Sequence, residues 1–389
     1  MKNLFCFIFW LLLLNGGLRA QDTLTIVHVN DTHSTLAPMA PRTEDLKGTR
    51  GGIARAATVI GSAKMTEPNV LTLHGGDAMI GDLFYNTIFG VAELRLMNAL
   101  GFDVMALGNH EFDLGPATLC QALDSSLTDG GLSIVSSNLI MEDPELCRLK
   151  SIVKPFLIKE YGNLKVGIFS LLTPAANLLS SPSPAVVDTG INASITNALT
   201  QLIGSGCNVI ILMSHLGIEN DKLLAQSVPG IDIIISSHDH FTTVKPEEVD
   251  NPAGTKTYIV QAGSNYSHVG KLQLIVDARG KKKVKYDLVE LNKKIPELAE
   301  IRDAVDELIA EIEKMYGPVY TAKIAEAAGT FYEAAEKLYL PGDHDTPLGN
   351  LITDAFRWKT GTQVAIEAGG SLAQPIWKGP VVAADVFRA

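Results

Sequence analysis

From about residue 24 to residue 265 the chain repeats one motif, a short run of Val, Ile and Leu followed by a stretch with apolar residues three and four apart. Runs at 24–30, 70–73, 104–107, 209–213 and 231–235 lack polar alternation, which predicts strands buried on both faces. The stretches 53–65, 91–100 and 195–203 carry helical spacing instead. Strands and helices in alternation predict an α/β fold, a layered sandwich of central sheets flanked by helices. A strand at 258–261 and a hairpin, 271–277 with 283–291 turned at Ala278-Arg279-Gly280-Lys281, follow. After Pro296, the residues Leu298, Ile301, Val305, Leu308, Ile309 and Ile312 recur at helical intervals with acidic residues between them. They predict a linker helix within 295–319, separating a main domain, 21–294, from a partial α+β C-terminal domain, 320–389, that is short for an independent core.

Composition narrows the class. Of the 389 residues 46% are hydrophobic and 19% charged, which excludes a disordered chain and a multi-span membrane protein. The one long apolar run is at the start, where Lys2, an apolar stretch over 4–14 and small residues up to Ala20 predict a secretory signal peptide over 1–20. Its apolar part is too short to span a bilayer, so the expectation is a periplasmic or secreted protein with no membrane span after signal removal. Cys6 precedes most of that run and does not read as a lipid-attachment site. Loss of Lys2 and Arg19 takes the net charge from −11 to −13, which argues against a nucleic acid polymer as partner. Cys120, Cys147 and Cys207 are odd in number and allow at most one internal disulfide.

Chemistry gathers where the apolar runs end. They lead into Asp31-Thr32-His33, Gly75-Gly76-Asp77, Gly108-Asn109-His110-Glu111, Ser214-His215 and Ser237-His238-Asp239-His240. Ligands of open α/β sheets bind beyond the carboxyl ends of strands, so these residues are expected to converge on one crevice. Asp31, His33, Asp77, Asn109, His215, His238 and His240 form a mixed nitrogen and oxygen set, too large for one ion and suited to two divalent metals sharing a carboxylate, with zinc, manganese, iron or magnesium as candidates. Gly75-Gly76-Asp77 lacks the lysine of a phosphate-cradling Walker loop. His28 and His74 read as packed core groups, His268 and His344 as loop residues, and Glu111 and Asp239 as structural. For Arg55 a helix-surface position and a buried ion pair are both open.

These motifs resemble the calcineurin-like metallophosphoesterases, and within them the secreted bacterial 5'-nucleotidase and UDP-sugar hydrolase group, over 24–389. The resemblance implies that Asp31, His33 and His240 hold one metal, that Asn109, His215 and His238 hold the other, and that Asp77 bridges them. Ser237 stands where the family usually has Gly, and His240 where close relatives often have Gln or Asn; both keep a small side chain or a ligand. His110, oriented by Asp113, matches the family histidine that is not a ligand and is expected to stabilise the transition state or protonate the leaving oxygen. A metal-bridging hydroxide attacking phosphorus in line then hydrolyses a nucleoside 5'-monophosphate or a related small phosphate ester. Residues 348–355 resemble the start of the family's nucleotide-binding C-terminal domain, and Ala384-Asp385-Val386-Phe387 a later piece, after which the resemblance is cut off, with a natural truncation and a fragment of a longer product both left open. His344-Asp345 replaces an Arg-Glu pair and Ala368-Gly369-Gly370-Ser371-Leu372-Ala373 replaces Asn-Gly-Gly-Gly-Ile-Arg, so two arginines and an asparagine that contact substrate in the family are missing. The alternatives left open are a UDP-sugar, cyclic-nucleotide or sulfur-anion hydrolase on the same metals, and a non-catalytic surface protein.

Overall fold

Side chains at alternate positions of a strand leave in opposite directions, and here both directions are apolar, so each sheet must be covered twice. The computed structural model, which describes residues 21–128, 130–332, 345–368 and 371–389, meets this demand with two six-stranded sheets packed face to face and helices outside them. The expected signal over 1–20 with Cys6, as well as His344, Gly369 and Gly370, lies outside the described residues.

The first sheet runs Lys282–Glu290, His268–Val276, Asp22–Val29, Val70–His74, Val104–Ala106, Ser133–Val135; the second runs Glu247–Asp250, Lys256–Val260, Ile233–Ser236, Val209–His215, Leu164–Leu172, Phe156–Tyr161. Leu24, Ile26, Leu71, Leu73 and Val104 from the first sheet meet Val166, Ile168, Val209, Ile211 and Ile233 from the second in a fully apolar inner layer. The alternate residues Val27 and Val29 face helices through Ile53, Ala57 and Ile60. Ile210, Leu212 and Ile234 face the opposite helical layer through Ile195, Leu199 and Leu202. Within each sheet the strands that matter are parallel and in level register: Val29 sits opposite His74, and Ser214 opposite Ser236. Their carboxyl ends therefore emerge together.

Helices fall where the spacing placed them, at Ile53–Thr66, Val91–Ala99 and Ile191–Gly204. The hairpin forms between His268–Val276 and Lys282–Glu290. His268, expected in a loop, instead opens its strand opposite Glu290, because the pairing continues past the apolar run. Arg55 is buried and pairs with Glu297 at 3.0 Å, while donating to the carbonyls of Gly51 and Gly48. Cys120, Cys147 and Cys207 are free thiols. Among the described residues no helix is long and apolar enough to cross a membrane.

The helix expected after Pro296 spans Ala299–Tyr316 and stops at Gly317, whose φ of +79° no L side chain adopts without strain. Its buried face, Ile301, Val305 and Ile312, is part of the main core beneath the first sheet. Beyond it, strands Lys323–Ala327 and Gly379–Val382 pair antiparallel, and helix Pro347–Thr360 is capped by the Thr346 hydroxyl, which accepts from Gly349 N at 3.0 Å. A small cluster, Ala327, Leu348, Leu372, Ile376 and Val381, holds this unit together.

Truncating Ile312, which is 1% exposed, to Ala is expected to cost about 2–5 kcal/mol in a denaturant titration of the whole chain. The same change at Met315, which is 58% exposed, should stay within about 0.5 kcal/mol. Equal costs at the two positions would show that the helix is not part of the main core.

Candidate metal centre

The parallel register brings two turns side by side at the edge of the first sheet. Asp31 N donates to Gly76 O at 2.9 Å, and His33 N to Asp77 O at 3.0 Å, so the segments carrying Asp31, His33 and Asp77 are laced together by backbone bonds. Such tight turning has a conformational cost: φ is +49° at Asp31, +47° at His33, +52° at Asp77, +90° at His238 and +58° at His240. Left-handed backbone at non-glycine residues is uncommon and collects where a site demands a side-chain direction that regular structure does not supply. Gly108 is required by close approach instead, since a Cβ there would lie 2.2 Å from Asp77 Oδ1 and 2.6 Å from its amide nitrogen.

Six of the seven expected ligands fall into two groups whose ligand atoms lie within 4.8 Å of one another, Asp31 with His33 and His240, and Asp77 with His215 and His238. Each group draws members from both sheets. His33 Nδ1 donates to Ile80 O at 3.1 Å, which leaves Nε2 facing His240 Nε2 at 3.0 Å. Likewise His215 Nδ1 donates to Gly75 O at 3.0 Å and turns Nε2 toward Asp77 Oδ2 at 3.0 Å and Asp31 Oδ1 at 3.8 Å, so the groups adjoin. Such second bonds fix which ring nitrogen keeps a lone pair. The seventh residue, Asn109, is buried at the turn that follows Val104–Ala106.

Asn109 Oδ1 is buried without a hydrogen-bond partner, and His215 Nε2 meets only the carboxylates of Asp77 and Asp31. A buried amide oxygen is rarely left unsatisfied, and both are metal-donor atoms, so the donor chemistry fits divalent cations. Electrostatics agree. Burial lowers His33 to about 3, against the charge of Asp77, and burial with the charge of His215 lowers His238 to about 4, so both rings stay neutral with a lone pair to give. Burial opposes charge on His215, yet Asp77 and Asp31 raise it to about 10; the negative potential that holds a proton there equally attracts a cation. The Asp77 carboxyl is held well below its usual range, where burial is outweighed by the charges of His215, His110 and His33.

Around these groups sits a ring of residues that hold rather than bind. Asn30 Nδ2 donates to Asp31 Oδ2 at 2.6 Å and to Gly263 O at 2.6 Å, and His238 N donates to the same carboxylate at 3.0 and 3.1 Å. Glu111 accepts from four backbone N–H groups, of Gly108, Asp77, Ala78 and Met79, at 2.7 to 3.3 Å. Burial and the charge of Asp77 push its carboxyl up to about 7 against the pull of those donors. Asp239 accepts from Ile218 N at 2.8 Å at the start of helix Ile218–Ser227. His28 and His74 are fully buried; Tyr286 Oη lies 3.3 Å from His28 Nε2, while Gly76 N donates to His74 Nδ1 at 3.2 Å and the opposite ring nitrogen is 2.9 Å from Thr32 Oγ1. Sequence reasoning overlooked Asn30, although an amide closing an otherwise apolar strand needs buried partners and was a usable signal. His110 lies outside both groups, its ring edge-on to His33 at 5.3 Å, with Nδ1 2.7 Å from Asp113 Oδ2.

A two-sheet sandwich with paired histidine and carboxylate clusters at one rim defines a class of metal-dependent phosphoesterase. The family model described as calcineurin-like phosphoesterase matches residues 24–241, and that described as 5'-nucleotidase, C-terminal domain, matches 324–389. The chain belongs to the calcineurin-like phosphoesterase family. It is 30% identical over 354 residues to a snake venom 5'-nucleotidase of Crotalus adamanteus, covering 85% of this chain and 58% of that protein. To a probable 5'-nucleotidase of Treponema pallidum it is 33% identical over 283 residues, 67% of this chain and 46% of that one. The crystal structure of a 5'-nucleotidase precursor from Thermus thermophilus superposes with a TM-score of 0.82 at 31% identity, covering 94% of this chain and 73% of that one. A sulfate thiohydrolase, SoxB, from the same genus shares the fold, with a TM-score of 0.76 at 16% identity. The chain thus spans less than two thirds of the curated relatives it matches first, 59% of the bovine 5'-nucleotidase among them.

Replacing Glu111 with Ala would strand four buried N–H groups, each costing about 1–3 kcal/mol when unsatisfied, so a fall of at least about 3 kcal/mol in unfolding free energy is expected. A loss below about 1 kcal/mol in a urea titration would mean that water replaces the carboxylate and that Glu111 does not set the turn.

Proposed function

We propose that this chain is an exported, dinuclear metal-dependent phosphoesterase acting on nucleoside 5'-monophosphates or related small phosphate esters. The observation that carries the reading is the pair of adjoining histidine and carboxylate clusters at one rim. Asp31, His33 and His240 would hold one ion, Asn109, His215 and His238 the other, with Asp77 shared between them. When bound, two such cations activate water for in-line attack and neutralise charge on the phosphoryl oxygens. The protein's own part is to present neutral imidazoles in fixed orientation, hold the Asp31 and Asp77 carboxyl groups in place between the two clusters, and supply a proton to the leaving oxygen.

His110 is the donor of that proton. Burial by itself would lower its pKa, but the hydrogen bond and charge of Asp113, with the charge of Asp77, raise it to about 9, so the ring enters the reaction protonated at neutral pH. Nearby cations pull this value down; the direction in which Asp113 acts stays the same. Export is supported by the order of charge, apolar run and small residues ahead of Gln21, and by similarity to a venom enzyme. The 5'-nucleotidase names of the relatives support nucleotide as substrate. Ala368 and Ala373 supply none of the amide or guanidinium contacts expected at those positions, which favours, as a second reading, a phosphate ester without a nucleobase.

Phosphate release from AMP and from an aryl phosphate by the metal-loaded protein separates the readings. Cleavage of both at similar kcat/KM supports the second, a strong preference for AMP the first, and turnover of neither rejects the phosphoesterase. His110→Ala should lower kcat about 10²–10⁴-fold with metal content unchanged by elemental analysis. Loss of metal instead would make His110 a ligand. In Asp113→Asn the ring loses its anionic partner, its pKa falls toward the ordinary histidine value, and the alkaline limb of the kcat profile should move to lower pH. An unmoved limb would remove His110 as the proton donor.

A further inference from the structure

The turn that carries Asp77 does not end at the cluster. It continues through Ile80, Gly81 and Asp82 into the short helix Leu83–Ile88, and this continuation touches His33 twice. The Ile80 carbonyl accepts from His33 Nδ1 at 3.1 Å, and Gly81 lies so close that a Cβ there would sit 2.8 Å from His33 Cβ. Ile80 has φ +62° and Gly81 has φ +127°. A β-branched residue keeps a left-handed backbone only where its surroundings over-determine it.

What over-determines it is Asp82, which is completely buried. Its carboxylate accepts from Leu83 N at 2.7 Å, from Tyr320 Oη at 2.6 Å and from Arg388 Nε at 2.7 Å, with Arg388 Nη2 2.5 Å away. Tyr320 and Arg388 are themselves buried and come from the far part of the chain, after the helix Ala299–Tyr316. Arg388 Nη1 lies 3.9 Å from Asp385, whose carboxylate takes a bidentate pair from Arg42 at 2.6 and 2.7 Å. The Arg388 Nε bond to the buried Asp82 carboxylate, with the guanidinium charge beside it, fixes direction as well as charge. The path from the C-terminal unit to the metal centre is therefore short and made of directional bonds: Arg388 and Tyr320 to Asp82, two residues back to the Ile80 carbonyl, then to the His33 ring.

We infer that Arg388 and Tyr320 are positioning residues for the metal centre, setting the orientation of His33 through Asp82 and the strained Ile80 turn. The effect is confined to the Asp31, His33 and His240 cluster, because the ring of His215 is held by the Gly75 carbonyl, on the other side of Asp77. The inference rests on the two-metal reading above.

The test reads the two ions separately. Wild-type protein, Arg388→Met, Tyr320→Phe and Arg388→Lys are loaded with zinc, equilibrated against graded chelator and analysed for bound metal. Arg388→Met should release one ion at roughly tenfold lower chelator activity, as loss of a partner behind a ligand does, and the second ion as in wild type. Tyr320→Phe, which removes one hydroxyl and leaves the ion pair, should shift the same ion by less, and Arg388→Lys should recover part of the loss. In a His240→Ala background, which weakens the same cluster, Arg388→Met should leave the remaining ion unchanged. If the variants unfold at lower temperature yet hold both ions as wild type does, or weaken both ions equally, Arg388 and Tyr320 are only structural and the inference falls. Should Arg388→Met not fold, Tyr320→Phe decides by the same criterion. A folded wild-type protein that binds fewer than two ions rejects the dinuclear reading itself, whatever the variants do.

Discussion

Strands covered by apolar layers on both faces leave little room for polar groups, and this constraint organises the molecule. Polar chemistry is driven to the points where a strand leaves its sheet. Parallel register between Asp22–Val29 and Val70–His74, and between Val209–His215 and Ile233–Ser236, brings those points level. The turns that follow are forced into left-handed backbone at Asp31, His33, Asp77, His238 and His240, and the surrounding bonds from Asn30, Glu111 and His74 keep them there. The metal centre is in this sense an outcome of how the sheets end.

The layered architecture was legible because its signal is local. Uninterrupted apolar runs and three-four spacing fix strand and helix existence, and the short polar motifs after the runs carry the ligand types in sequence. His268 shows the limit: a strand extended by hydrogen bonding to its neighbour has no apolar signature at that residue. The division of Asp31, His33 and His240 from Asn109, His215 and His238, with Asp77 between them, came from resemblance, since nothing in spacing says which strand end lies beside which; the structure groups Asp77 with His215 and His238. The supporting residues were the least visible. Asp82, Tyr320, Arg388, Arg42 and Asp385 look like ordinary surface residues until the fold brings them into one buried network, because an ion pair across some three hundred positions leaves no local pattern.

The C-terminal unit contributes differently from the main domain. Its own apolar cluster is small, and its attachment adds charge and hydrogen bonds to the burial of Tyr320, Val382 and Ala384 in the main core: Arg388 and Tyr320 on Asp82, Arg42 on Asp385, and Gln374 Nε2 donating to Asn265 Oδ1 at 2.7 Å. Asn265 N in turn donates to the carbonyl of Asp31 at 2.8 Å. Both ends of this attachment therefore reach the turns that carry the candidate metal ligands.

Each cluster straddles the seam between the sheets, with Asp31 and His33 or Asp77 on one side and His240 or His215 and His238 on the other. Among the described residues no strand ladder crosses that seam at the inner layer; side chains such as Ile26, Leu73, Val166, Val209 and Ile211 separate the two walls. Their combined thickness is the gauge that sets how far apart opposing donors stand. A methyl group gained or lost deep between the sheets, remote from any reacting atom, thus alters the bite of the site on its ions.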